Sequence, residues 1–163
     1  MEWIKCVGYL ALTGAVGFAA GRLLPKRLFD HRRFPYRPYA FEQAGRWYER
    51  LHIKSWHCRL PDMSRLFPKL MPPKKLGGDL PRELPVMIRE TCVAELIHGL
   101  LCLSGLHCVR LWQSAGGVLL AMANILGNLP FIVAQRYNRP RLVRLLNNLE
   151  KRESAYACAD SEL

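Results

Sequence analysis

"ETCVAELIHGLLCLSG", residues Glu90 to Gly105, decides the fold. From Thr91 it runs at helical length through small and apolar residues, interrupted only by Glu95 and His98. An ionised side chain at the centre of a membrane costs roughly 2.5–3.5 kcal/mol on insertion scales. A membrane helix that keeps both residues needs groups at the same depth to meet them, and those groups must come from elsewhere in the chain.

The apolar pattern continues downstream to Gln135, too long for one helix. Arg110 followed by Trp112, Gln113 and Ser114 reads as an interfacial turn, giving spans over 91–109 and 114–135 that form a helical hairpin. Upstream, residues 6–24 are uncharged as far as Gly21, with Arg22 placed to snorkel, and predict a first span. A cleaved signal peptide competes for that segment, but Lys5 is the lone leading positive charge and Phe18 spoils the small-residue pattern before Ala20.

Composition agrees with this division. The chain of 163 residues is 50% hydrophobic yet carries a formal charge of +11, and the charge is concentrated between the apolar blocks. Residues 25–92 hold fifteen Lys or Arg against seven Asp or Glu. Nucleic-acid binding would explain the charge but not the apolar blocks, and no zinc-ligand spacing, Gly-rich phosphate loop or RNA-binding signature is present. The six cysteines make no CxxC pair and read as small packed hydrophobes.

The expected fold is therefore an all-α integral membrane protein of about three transmembrane helices, a single membrane domain spanning 1–163 as a multi-pass protein of the cell membrane. Cations crowd the end of the first span (Lys26, Arg27, Arg32, Arg33, Arg37) and the end of the third (Arg136, Arg139, Arg141, Arg144). The positive-inside rule then makes residues 25–90 and the basic tail 136–163 cytoplasmic. Within 40–62 the aromatic and aliphatic residues Phe41, Trp47, Tyr48, Leu51 and Ile53 alternate with Arg46, Arg50 and Lys54, which suits amphipathic helix at the headgroup level. The proline-rich stretch after it predicts irregular backbone.

At about 100° per residue Glu95, His98, Cys102 and Gly105 share one arc of the second span, and Asn124, Asn128 and Gln135 fall within about 40° of one another on the third. Glu95 and His98 have the i, i+3 spacing of neighbours. Hydrogen bonds between membrane helices contribute about 0.6 kcal/mol each on average, less than the burial of an acid and a histidine costs. A site is the stronger reading. A histidine with a carboxylate one turn away is an arrangement that activates a hydroxyl. Two firm ligands make a metal centre a poor alternative.

The stretches "FEQAGRWYERLHIKSWHCRLPD", "VAELIHG" and "ANILGNLPFIVAQRYNRPRLVRLL" resemble the glycosyl-4,4'-diaponeurosporenoate acyltransferase family of staphyloxanthin biosynthesis over about 41–152. That resemblance implies a membrane enzyme that esterifies a fatty acyl chain onto a sugar hydroxyl of a glycosylated carotenoid acid. Gly99 departs from the bulky aromatic the family leads one to expect after the histidine, and the 72–85 linker is this chain's own, which leaves a non-carotenoid glycolipid acceptor open.

In the expected mechanism His98 is the general base, Glu95 orients it, and Asn128 or Asn124 donates to the oxyanion. Arg136, Arg139 and Arg141 hold phosphates of an acyl-CoA or acyl carrier protein donor, with Gln135 and Asn138 completing the substrate site; topogenic anchoring is the competing role for each arginine. No cofactor beyond the acyl donor, and no nucleic acid, is expected. The alternative is a non-enzymatic membrane assembly or lipid-binding partner whose polar face docks another helix.

Overall fold

The computed structural model describes residues 1–60 and 80–160, with side chains as far as 155. Helix α1 (Glu2–Leu23) is followed by a single 3-10 turn, then by a 3-10 stretch at Ala40–Leu51, the short helix α2 (Ile53–Trp56) and a further 3-10 turn. Helix α3 (Leu80–Gly105), the short α4 (Cys108–Leu111) and the long α5 (Ala115–Asp160) complete the order. No strand occurs among the described residues.

Three helical stretches are long and apolar enough to cross a membrane: Glu2–Leu23, Leu80–Leu111 and Ala115–Ala155. Their outward faces explain the high apolar content. Leu12, Leu103, Leu119 and Leu126 are each 62–68% exposed, an apolar surface that a lipid environment covers and water would not tolerate over such an area.

α3 and α5 form the hairpin, turning through α4. α1 lies against it at two small residues: a Cβ on Gly17 or Gly21 would meet Ile97 at 3.3 or 3.5 Å. At the turn end, buried Cys6 donates to the carbonyl of Cys108, and Tyr9 packs on His107 with ring centroids 5.1 Å apart. At the opposite end Phe29, Cys92 and Val93 make a second apolar cluster with Leu24 and Tyr36 around it.

The hairpin helices extend further than their apolar runs. α3 starts at Leu80, not near 91: Pro81 falls in its first turn, where N–H groups have no intrahelical partner to lose, and Pro85 is accommodated inside the helix. Of the segment 65–85 expected to be irregular, 65–79 lie outside the described residues, whereas 80–85 are helical. α5 continues through Pro130 and Pro140, so the end of the third apolar run is not the end of its helix.

The 40–57 region is not the regular amphipathic helix its composition suggests. Gln43, Ala44 and Gly45 take positive φ, which breaks it into short 3-10 pieces. Gly45, at φ 94°, comes so close to α5 that a Cβ would meet the Tyr137 carbonyl oxygen at 3.3 Å. The break turns Tyr48 and Ile53 inward onto Tyr137, with Trp47, Trp56 and Val133 around them. Part of the apolar face expected to lie in the headgroups thus packs on protein instead.

Candidate active site

Two polar assemblies lie between α3 and α5, one turn apart. The deeper one is built on His98. Its Nδ1 is 2.9 Å from Asn128 Oδ1, and its ring stacks on Phe131 with centroids 4.5 Å apart and planes 8° from parallel. Asn128 Nδ2 donates to the backbone carbonyl of Asn124 at 2.9 Å and approaches Asn124 Oδ1 at 3.3 Å. Asn124 Nδ2 donates across the hairpin to the Leu101 carbonyl at 2.8 Å. Gly105 makes room for this last contact: a Cβ there would lie 2.1 Å from Asn124 Nδ2.

This ladder assigns the histidine tautomer. A backbone carbonyl can only accept, so the Asn128 atom facing Asn124 is nitrogen and the atom facing His98 is oxygen. His98 Nδ1 must then carry the proton, and in the neutral ring Nε2 keeps its lone pair.

The second assembly sits at the basic end. Glu95 does not orient His98; its carboxylate receives Arg136 on one oxygen and Arg139 on the other. Arg136 also donates to Glu42, to the Pro35 carbonyl at 3.1 Å and to the Arg37 carbonyl at 3.2 Å. Arg139, 3% exposed, donates to Thr91 Oγ1 at 2.8 Å, to the Thr91 carbonyl at 3.2 Å and to the Tyr36 carbonyl at 2.7 Å. Two guanidinium groups thus meet two carboxylates, with the remaining donors directed at backbone carbonyls. Such an arrangement satisfies buried charge, since breaking one pair would strand the other.

Glu42, 2% exposed, was silent in the sequence. It accepts from Arg136, from the Tyr48 hydroxyl and from the Tyr39 N–H at 2.8 Å. Burial alone would raise its pKa, but these three donors outweigh burial and leave the carboxyl below its ordinary value. Burial and the neighbouring carboxylate push the Tyr48 hydroxyl up, so it stays a donor. The available signal was the Tyr39-x-x-Glu42 spacing, which closes a reciprocal cap at the start of the 3-10 stretch.

These contacts revise the roles expected for the arginines. Arg136 and Arg139 are turned inward and occupied, so they do not present a phosphate site. Arg141 pairs with Glu49 at 3.1 Å and lies over the Tyr137 ring at 3.6 Å. Gln135 and Asn138 are half-buried, and neither side chain has a hydrogen bond among the described residues. Neither amide is joined to His98. Asn128 directs its amide N–H groups at the Asn124 carbonyl and Oδ1, which argues against Asn128 as the oxyanion donor, whereas Asn124 commits one of its two N–H groups, to the Leu101 carbonyl. Among the described residues no three His, Cys, Asp or Glu side chains gather at metal-binding distance.

Beside the Glu95 assembly runs a groove of about 280 Å³, bordered by Tyr36 and Glu95 at the basic end and by Leu96, Gly99, Leu103 and Ile132 along its length; Leu96 and Gly99 flank Glu95 and His98 in sequence, but His98 itself does not line it.

The family described as glycosyl-4,4'-diaponeurosporenoate acyltransferase matches residues 26–148, which include every residue of both assemblies. Proteins of that name from Staphylococcus aureus strains N315 and bovine RF122 / ET3-1 are each 31% identical over 137 residues, 81% of this chain and 80% of theirs. The protein of the same name from strain Newman is 30% identical over the same length. No solved structure matches the chain.

Proposed function

The chain belongs to the glycosyl-4,4'-diaponeurosporenoate acyltransferase family, and on that premise we propose that it is a membrane O-acyltransferase that places a fatty acyl chain on a sugar hydroxyl of a glycosylated lipid or carotenoid acid. The observation that carries the chemistry is the His98–Asn128 contact at 2.9 Å. It holds the ring in one tautomer and leaves Nε2 as a base at membrane depth.

In the proposed reaction Nε2 takes the proton from the acceptor hydroxyl as its oxygen attacks the carbonyl carbon of an acyl thioester, carried by coenzyme A or an acyl carrier protein. The tetrahedral intermediate collapses with loss of the C–S bond, and the departing thiolate receives the proton back from Nε2. Asn128 is the orienting partner, the part assigned from sequence to Glu95. General-base catalysis of this kind contributes about 10²–10⁴-fold. The Glu95–Arg136–Arg139–Glu42 network fixes the register of the hairpin beneath the base and holds residues 35–48 over it. The end carrying this network faces the cytoplasm, where a thioester donor is available.

Lipid extracts from cells making the wild-type protein or His98→Gln test the reading by mass spectrometry. An acylated glycolipid present with the wild type and absent with an equal amount of folded His98→Gln is the expected result. Equal product from both would overturn His98 as the base and favour the docking-surface alternative.

A further inference from the structure

The groove beside Glu95 has a purpose that the base and its partner leave unassigned. It follows α3 from Glu95 to Leu103, about 12 Å at 1.5 Å per residue. Its floor is Gly99, where an added Cβ would have nothing within 4 Å. The hollow is therefore open space that a side chain could occupy without displacing any other group. Its far wall opens sideways, with Leu100 and Leu103 52% and 65% exposed. The mouth lies at Pro35 and Tyr36, on a segment whose Arg32, Arg33 and Arg37 are exposed. These three side chains face outward, Arg33 within 3.4 Å of Asp30, whereas Arg136 and Arg139 are occupied inside.

We propose that this groove, with Gly99 as its floor, holds the first part of the acyl chain of an anionic acyl thioester donor, and that Arg32, Arg33 and Arg37 attract its phosphate-bearing carrier. The inference rests on the acyltransferase reading above. Cationic mouth and apolar channel match a molecule with a charged head and a single flexible tail. An acceptor whose head is a neutral sugar has no use for the cations. The hollow of about 280 Å³ takes only the first part of an acyl chain. The remainder of a longer chain lies in lipid.

The test offers purified protein in detergent a mixture of straight-chain acyl-CoAs differing by two carbons, with the glycolipid acceptor, and reads product masses. With the wild type, relative kcat/KM should climb by up to about fourfold per methylene until the groove is filled, and then level off. The series Gly99→Ala, Gly99→Val and Gly99→Leu should progressively lower the ratio of long-chain to short-chain product. Each variant's elution profile is compared with the wild type to establish folding. Arg32→Gln/Arg33→Gln/Arg37→Gln should raise KM for acyl-CoA several-fold and weaken its salt dependence. An unchanged length preference across the Gly99 series, a uniform loss at every length, or a raised KM for acceptor alone would each overturn the groove as the acyl site. Absence of any acylated product from the wild type would instead sink the acyltransferase reading and this inference with it.

Discussion

Glu95 and His98 stand one turn apart on α3 and turn to different partners: the carboxylate closes on Arg136 and Arg139, while the imidazole closes on Asn128. Adjacent spacing made them a pair in the sequence, but the structure gives one of them to anchoring and the other to the candidate chemistry.

Glu95→Gln should therefore behave as a stability variant. Removing one member of a buried, hydrogen-bonded ion pair costs about 3–5 kcal/mol. Folded yield and melting temperature in detergent should fall, while turnover per folded molecule stays within a few-fold of wild type. A well-folded Glu95→Gln that has lost turnover by orders of magnitude would restore the carboxylate to the mechanism.

His98→Ala and His98→Gln should show the converse, losing about 10²–10⁴-fold in turnover while melting near the wild-type temperature. Asn128→Ala should lose less, because the base remains and only its tautomer and orientation are released. The double variant His98→Ala/Asn128→Ala should be no worse than His98→Ala, as expected of two residues that act as one unit.

Gly105→Ala and Gly127→Ala separate packing from mere helix preference. At Gly105 the new methyl meets the Asn124 amide, and overpacking of this kind costs about 1–3 kcal/mol; turnover should drop as well, because the ladder carries the strain to Asn128. At Gly127 a Cβ would have nothing within 4 Å, so Ala should leave stability unchanged or raise it by up to about 1 kcal/mol. Thermal melts of both variants in one detergent decide the comparison.

Acid should loosen the 40–57 region before the hairpin. The Glu42 pKa is depressed in the folded state, so its stabilisation is complete above the ordinary carboxylate value of about 4.3. It is lost as pH falls through the lower folded value. Trp47 and Trp56, packed in the same cluster, should report the step by fluorescence. Glu42→Gln should remove the step and resemble the acid form at neutral pH.

Reporter fusions after Pro38 and after Ser154 should both report the cytoplasm, and a fusion after Trp112 the opposite side. Opposite signals from Pro38 and Ser154 would contradict the Arg136–Glu42 contact, which places residues 42 and 136 at one end of the molecule. A cytoplasmic signal at Trp112 would remove the hairpin orientation.

The spans were legible because length and apolarity are local properties, and the turn was legible because Arg110 and Trp112 interrupt them. The start of α3 was not, since Pro81 reads as a breaker until its place in a first turn is known, and Pro85 sits inside the helix against its usual preference. In the site, the polar residues of both helices were visible, but not how they pair. The partners of Glu95 lie 41 and 44 residues away, and i, i+3 spacing carries no information about them. Likewise a basic cluster looks the same in sequence whether its guanidinium groups face water or a buried acid. For Glu42 the spacing from Tyr39 signalled only a local cap, because its ionic partner Arg136 lies on another helix.

That long separation bears on how the molecule is made. Arg136 follows Glu42 by 94 residues in the chain, so during synthesis the 35–48 segment and Glu95 both wait for the last span before their charges are matched. Until then α3 enters the membrane with an uncompensated acid, and residues 40–57 have no Tyr137 to fold upon. The network thus closes only on a chain whose third helix has been threaded back to the correct side, and a misthreaded product retains an open, protease-accessible segment. Nascent chains halted before Arg136 should be cleaved within 40–57 under conditions that spare the finished protein.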